Sequence, residues 1–447
     1  MRCRGRCAVG VIVQVMHRSE VSGSRAEISP PRITRVPAVV DEVWRAEASS
    51  MRGALARRLG DLDRAEDALQ EALAEALRRW PADGVPDNPA GWLVTSAWRK
   101  ALDMLRREQT GRAKLAIADA APSDDDLLAL IFGCCHPSLP QTAQVALTLR
   151  AVCGLSTEEI AAAFLVPVPT MAQRLVRANR LIRSLEVPFS IPEPDEYADR
   201  LDAVLAVIYL VYNEGYLASG HVTPHRRDLA IQARALTHQL ELLMPAEPEV
   251  IGLGVLIGLC EARSASRFDE WGRLVLLSDQ DRRAWDHEAI QAAVARLDRV
   301  LAKREPGPYQ TQAAIAALHA TVPSYADTDW PQVWLLYQSL YLRTGNPVAL
   351  LSAAVATWHR VGAERALNDL SRVAGELDGY RLFHATRAEL LHALGREEEG
   401  HAALKRALAL AANPAERSLL NERLSSRSVD HHGPDLDGGA VLDAGPV

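Results

Sequence analysis

Along residues 169–185, PTMAQRLVRANRLIRSL, the apolar positions Met171, Leu175, Ala178 and Leu181 with Ile182 recur at steps of three and four, the period of a helix with one buried stripe. Arg174, Arg177, Arg180 and Arg183 spread over about half of the same wheel, and no acidic residue occurs from Pro169 to Leu185. Residues 65–81, AEDALQEALAEALRRWP, keep the helical period but carry an acidic and amide face of Asp67, Gln70, Glu71 and Glu75. Extended along the chain, the pattern predicts three helices within 41–108 around a proline-rich loop at 81–91. A second helical group follows from 124 to 185, and helix succeeds helix from 197 to about 424. The run 187–196, VPFSIPEPDE, has three prolines and no helical period, so it marks a domain boundary. Long β-branched alternation is absent, and the fold class expected is all-α.

Within the last segment, Gly362, Ala366, Leu370 and Val373 recur as Gly395, Gly400, Leu404 and Ala407, displaced by 33 or 34 residues. A helix, a glycine turn, a second helix and a closing proline make a tetratricopeptide-like unit, whose faces are buried only by stacking. The tail 426–447 is poor in large apolar residues and is expected to be disordered. Residues 1–40, with a basic start and a short apolar run, read as a disordered leader or as sequence upstream of the true start. The longest apolar runs, 204–212 and 250–260, fall well short of the ~20 residues that span a bilayer, so no membrane segment is expected.

Composition narrows the partners. A net charge of -7 argues against a protein that coats nucleic acid wholesale, so any DNA contact must come from local basic patches. The six cysteines form no CxxC pair, which fits a reducing cytoplasm.

The candidate chemistry is recognition rather than catalysis. In GLSTEEIAAAFLVPVPTMAQRLVRANRLIR, 154–183, Ser156 with Glu159 makes a capping box, and Pro169 falls in the first turn of a second helix, where a missing N–H costs nothing. This is the outline of a helix-turn-helix. Thr170 and Gln173 stand where base edges are read, and Arg174, Arg177 and Arg180 where phosphates or a guanine are held. A left-handed corner at Leu165 would cost about 1–2 kcal/mol relative to glycine, so this glycine-poor turn is expected to avoid it. Residues 88–108, NPAGWLVTSAWRKALDMLRRE, interleave Trp92 and Trp98 with Arg99, Lys100, Arg106 and Arg107. Aromatic and basic side chains together suit opened DNA, although Trp92 taken singly reads as core and Trp98 reads equally as core or as a DNA face.

In this order, the parts resemble the sigma-70 family in its extracytoplasmic-function (group IV) branch, over residues 41–186. AEDALQEAL…RRW resembles the region 2 helix that binds the β′ clamp of RNA polymerase, NPAGWLVTSAWRKALDMLRR the segment that melts and reads the −10 element, and 154–183 the region 4 helix-turn-helix that reads the −35 element. The resemblance implies that Asp67, Gln70 and Glu71 meet core polymerase and that Thr170, Gln173, Arg174, Arg177 and Arg180 enter the −35 major groove. It further implies that Asp87 and Asn88 help form a −10 base pocket, with Trp98, Arg99, Arg106 and Arg107 along the opened strand. Ala172 replaces a usual basic or polar residue, so one −35 contact is missing. The segments LIFGCCHPSL, VIYLVYNEGY, LLSDQDRRAWD and GPYQTQAAIAALHA resemble the subgroup with a long tetratricopeptide-like extension, whose extension is thought to control activity.

The implied division is a leader at 1–40, sigma domain 2 at 41–110, a linker at 111–124, sigma domain 4 at 125–187, the extension at 188–425 and the tail at 426–447. The implied partners are core RNA polymerase, through the β′ clamp and β flap, promoter DNA, and an effector or protein at the extension. Tyr212, Asn213, Glu214 and Tyr216 are the extension's candidate regulatory site, though Gly215 could equally be a helix C′ residue. Cys134-Cys135-His136 has no second pair of ligands, so no metal and no cofactor are expected. Gly252, Gly254 and Gly258 lack a preceding strand and read as close helix packing. The polar turn at 279–286 is an internal ion-pair network or an interface with domain 4. No nucleophile–base pair or phosphate loop emerges, so no enzyme is expected. The rival class is a DNA-binding activator with a helical-repeat sensor, which would need neither the Asp67 helix nor the Trp98 segment.

Overall fold

The computed structural model describes residues 32–108, 124–164, 166–185, 189–193, 196–216 and 227–429. Among them are nineteen α-helices and no strand, with one isolated bridge between Phe268 and Leu274. Helices α1 (Arg32–Leu59), α2 (Leu62–Asp83) and α3 (Pro89–Glu108) form the first unit, and α4 (Asp124–Cys134), α5 (Gln141–Ala151), α6 (Thr157–Ala163) and α7 (Val168–Ser184) the second. The extension begins with α8 (Tyr197–Tyr216), α9 (Arg227–Leu243), α10 (Pro248–Ala262), α11 (His287–Leu301) and α12 (Pro308–Ala320). It continues through α13 (Trp330–Thr344), α14 (Pro347–Val361), α15 (Ala363–Ser371), α16 (Ala374–Leu377), α17 (Arg381–Ala393), α18 (Glu397–Leu410) and α19 (Pro414–Val429).

Two expectations shift at the ends. Residues 32–40 belong to α1 rather than to a disordered leader, because Val36 and Val40 are buried in the core. Residues 426–429 complete α19, whereas 430–447 and 109–123 lie outside the described residues. The loop expected at 81–91 is shorter, since α2 continues to Asp83. It closes with Gly84, at φ 86°, donating to the Trp80 carbonyl.

One continuous apolar cluster runs from Val36 through α1–α12 to Ala320, so the two N-terminal units and the first half of the extension share a core. Glycines allow its tightest crossings. A Cβ on Gly53 of α1 would lie 2.3 Å from the Asp126 carbonyl oxygen of α4, and one on Gly252 of α10 would lie 2.7 Å from the Gln310 nitrogen of α12. Gly252 thus permits close helix packing. The extension abuts the second unit directly, with α4 and α5 packed on α8 and α9 and the Phe189 ring seated over Gly133. A second cluster, with Leu370, Leu390 and Leu404, holds the last helices together. There α14–Gly362–α15 and α17–Gly395–α18 repeat one hairpin, each glycine at positive φ (106° and 69°).

Candidate nucleic-acid interface

The helix-turn-helix is built as its local chemistry dictates. The Ser156 N–H donates to Glu159 Oε2 at 2.7 Å and the Glu159 N–H to Ser156 Oγ at 3.2 Å, a reciprocal box that starts α6. At its far end the Val166 N–H reaches back to the Ala161 carbonyl, 3.0 Å away, a six-to-one closure. Leu165, where a left-handed corner is expected to be avoided, lies outside the described residues. Pro167 leads into α7, and Pro169 occupies its first turn. Met171, Leu175, Ala178 and Ile182 are buried, which fixes the rotation of α7. That rotation leaves Thr170, Gln173, Arg177 and Arg180 exposed, while Arg174 is half-buried with its guanidinium 5.5 Å from the Phe164 ring centroid.

The last turns of α7 face protein instead. Asn179 donates to Asp63 Oδ1 at 2.7 Å and Arg183 pairs with Asp61 at 2.9 Å and with Asp63, both at the start of α2. Asp61 is also the N-cap of α2, accepting from the Asp63 and Arg64 N–H groups. A cleft of about 210 Å³ between α2 and the helix-turn-helix is lined by Arg52, Glu66, Ala172 and Val176 among others. Below it, Arg52 donates to Glu66 at 2.6 Å and to the Ala151 carbonyl at 3.1 Å, tying α1, α2 and the end of α5. Burial opposes ionisation of Glu66, but the Arg52 charge and hydrogen bonds from Arg52 and Gln70 hold its carboxyl below the usual value.

Further along α2, Asp67 and Glu71 are exposed and Gln70 is half-buried, its amide on Glu66 at 3.2 Å. Burial, then the charges of Glu66, Asp61 and Glu71, raise the Asp67 pKa. This is a concentration of negative potential suited to a basic partner. On α3 the arrangement departs from expectation. Trp98 is 3 % exposed and packed in the core beneath Arg58, so it offers no face to a DNA base in this arrangement. Arg99 is exposed, as are Asp87 and Asn88, and Asn88 accepts from the Gly91 N–H at 2.8 Å to cap the helix. The side chains of Arg106 and Arg107 lie outside the described ones.

Residues 43–110 match sigma-70 region 2 and residues 129–181 match sigma-70 region 4. An uncharacterised protein of Rhizobium meliloti (strain 1021) is 42% identical over 394 residues, 85% of this chain and 93% of its own length. The probable ECF RNA polymerase sigma factor SigI of Mycobacterium tuberculosis (strains CDC 1551 / Oshkosh and ATCC 25618 / H37Rv) is 27% identical over 173 residues, 35% of this chain and 59% of that protein. The chain belongs to the extracytoplasmic-function branch of the sigma-70 family. Residues 200–301 also match a family of unknown function, DUF6596. No solved structure matches the chain.

In this sigma factor, DUF6596 contains the Tyr212 cluster. The Tyr212 hydroxyl donates to Glu261 at 3.0 Å, its ring stacks on Tyr216 at 5.5 Å, and Arg267 lies 3.3 Å over Tyr216. The Tyr209 hydroxyl donates to Gln312 at 3.1 Å, and Asn213, like Glu214, is half-buried. Gly215 is not a helix C′ residue. It sits inside α8, where a Cβ would lie 2.3 Å from the Ala230 nitrogen of α9. In the turn at 279–286, Asp279, Asp281, Arg283 and Asp286 are exposed, while Arg282 reaches across to α12 and the loop after it. Asp281 pairs with Arg283, Asp286 caps α11, and Arg282 donates to the carbonyls of His319 and Val322. Cys134 and Cys135 are buried, and burial pushes both thiols up. No helix among the described residues is long and apolar enough to cross a membrane.

Nothing in the sequence pairs Asp61 and Asp63 with Asn179 and Arg183, more than 100 residues away. The N-cap pattern of GDLD, 60–63, is the only local signal.

Proposed function

We propose that this protein is an alternative sigma factor that directs promoter-specific initiation and is controlled by its own C-terminal extension. Sigma domain 2 would occupy 41–110, with Asp67, Gln70 and Glu71 on the β′ clamp and Asp87, Asn88, Arg99, Arg106 and Arg107 at the −10 element. Sigma domain 4, at 125–187, would dock on the β flap and read the −35 element with Thr170, Gln173, Arg174, Arg177 and Arg180. The observation that carries this reading is the rotation of α7, whose apolar stripe is buried while its first three turns leave polar and cationic side chains open. Control by the extension is supported by the packing of α8 and α9 on α4 and α5. An effector or protein at Tyr212–Tyr216 would act on the wall of the DNA-reading unit. The chemistry of initiation belongs to the polymerase, and this chain supplies docking and recognition.

The test reconstitutes the full chain with core polymerase and scores run-off transcripts from selected promoters. Transcripts that depend on the chain are expected. Binding to duplex DNA without initiation would replace this reading with that of an activator.

A further inference from the structure

The α17–α18 hairpin of the last repeat brings two imidazoles and a carboxylate together. His392 stands in the last turn of α17, Gly395 reverses the chain, and Glu397 opens α18 with His401 one turn further along the same face. One ligand atom from each of the three lies within 4.8 Å of the other two. His392 Nδ1 is 2.7 Å from Glu397 Oε2, and His401 Nδ1 is 2.9 Å from the Glu397 carbonyl oxygen. A carbonyl only accepts, so His401 carries its proton on Nδ1 and its lone pair on Nε2. A backbone carbonyl fixing one tautomer is the usual outer support of a metal-binding imidazole.

The His392 ring has a place made for it. Its side chain is 2 % exposed, and a Cβ on Gly400 would fall 2.4 Å from its Cε1 and 2.5 Å from its Nε2. Only a glycine at 400 admits the ring in this position. Glu397 is 59 % exposed and His401 half-buried, so the cluster opens to solvent on one side and a hydrated ion can reach it.

We propose that His392, Glu397 and His401 bind a late first-row divalent ion such as Zn²⁺ and so fasten α17 to α18. Imidazole nitrogens select zinc, nickel or copper over magnesium or calcium, and two histidines with one carboxylate complete three positions of a zinc site. Zinc holds such atoms at about 2.0–2.2 Å, so rotation of the two more exposed side chains draws the cluster together. The ion takes the place of the proton between His392 and Glu397, and water fills the remaining position.

The experiment uses the full chain, stripped with chelator, and titrates Zn²⁺ against a chromophoric competitor while Co²⁺ reports coordination by its visible spectrum. The tail carries His431 and His432, so the reference protein is His431→Ala/His432→Ala. It is expected to bind one equivalent of Zn²⁺, to give a Co²⁺ band of tetrahedral or five-coordinate intensity, and to melt at a higher temperature with Zn²⁺. Glu397→Gln and His401→Ala on that background are expected to weaken binding at least tenfold and to lose the band and the shift in melting. If His401→Ala fails to fold, Glu397→Gln, at the solvent side, decides alone. Equal binding by the reference and Glu397→Gln, or no Zn²⁺ bound by the reference, overturns the site and leaves His392 and Glu397 as a hydrogen-bonded pair.

Discussion

Arg52 is 7 % exposed, and its guanidinium meets Glu66, the Ala151 carbonyl and the Trp44 ring. Removing one partner of such a pair strands the other charge, so Glu66→Gln is expected to cost about 2–3 kcal/mol, less than a fully buried pair because Glu66 keeps some solvent contact. The sign of its pH dependence follows from the depressed carboxyl. Glu66 contributes stability at pH above its ordinary value of 4.5 and loses it as pH falls through its lower folded value. Melting temperatures from pH 6 to 3 should therefore fall more steeply for the native protein than for Glu66→Gln, and parallel curves would show that the Arg52–Glu66 pair does not stabilise the fold. On α7, Arg174→Ala and Arg177→Ala are each expected to weaken promoter binding and to lower the salt slope by about one if the contact is to phosphate. Unchanged run-off transcription from the double variant would sink the recognition assignment. The inward set of α7 was legible because one helical stripe determines it. Trp98 was not, since an aromatic beside arginines has the same sequence signature in a core as on a DNA-binding face, and only the packing of α1 over α3 separates the two.

Between elements, region 2 meets region 4 through close backbone approach as well as through charge. Arg183 and Asp63 are both about half exposed, and such a pair contributes about 0–1 kcal/mol. The crossing of α1 and α4 leaves no room for a side chain at Gly53. Gly53→Ala is expected to destabilise the protein by about 1–3 kcal/mol through overpacking, against a gain in helix propensity of less than 1 kcal/mol. Calorimetry checks this, and an unchanged or raised melting temperature would show that the two units yield easily. Crossings of this kind are hard to read in advance. Gly53, Gly215 and Gly252 sit inside helices, where a glycine looks only like a weakness until the neighbouring backbone is in place. Gly362 and Gly395 were legible because they end helices, where positive φ requires them. Asn213 and Glu214 are legible as polar groups breaking an apolar helix, but Glu261, the partner of Tyr212, and Arg267, the partner of Tyr216, are some 50 residues on, beyond any local signal.

Across the whole molecule, the domain division written in the prolines of 187–196 is a boundary of sequence, not of packing. The apolar cluster passes through it, with Phe189 buried against Gly133 and with Val204, Ile208 and Val211 of α8 in the same core as Leu128 and Ile131 of α4. A fragment of residues 41–190 would therefore expose the faces of α4 and α5 that α8 and α9 cover, and would lose Val36 and Val40 from α1 as well. Contiguous apolar surface of that size favours association and lowers stability. The fragment is expected to bind a hydrophobic dye and to melt below the full chain. A chain ending at 327, which keeps α1–α12, should retain the cooperative transition of the large cluster, because the second cluster lies almost entirely beyond that point. Scanning calorimetry of the two truncations makes the comparison. Should 41–190 melt cooperatively at the temperature of the full chain, region 4 would be indifferent to its neighbour, and the extension would need some other route to influence DNA reading. If instead it loses its transition while 1–327 keeps it, α8 and α9 are structural walls of the DNA-reading unit, and any ligand that shifts Tyr212 against Glu261 acts on that unit through a core only one helix thick.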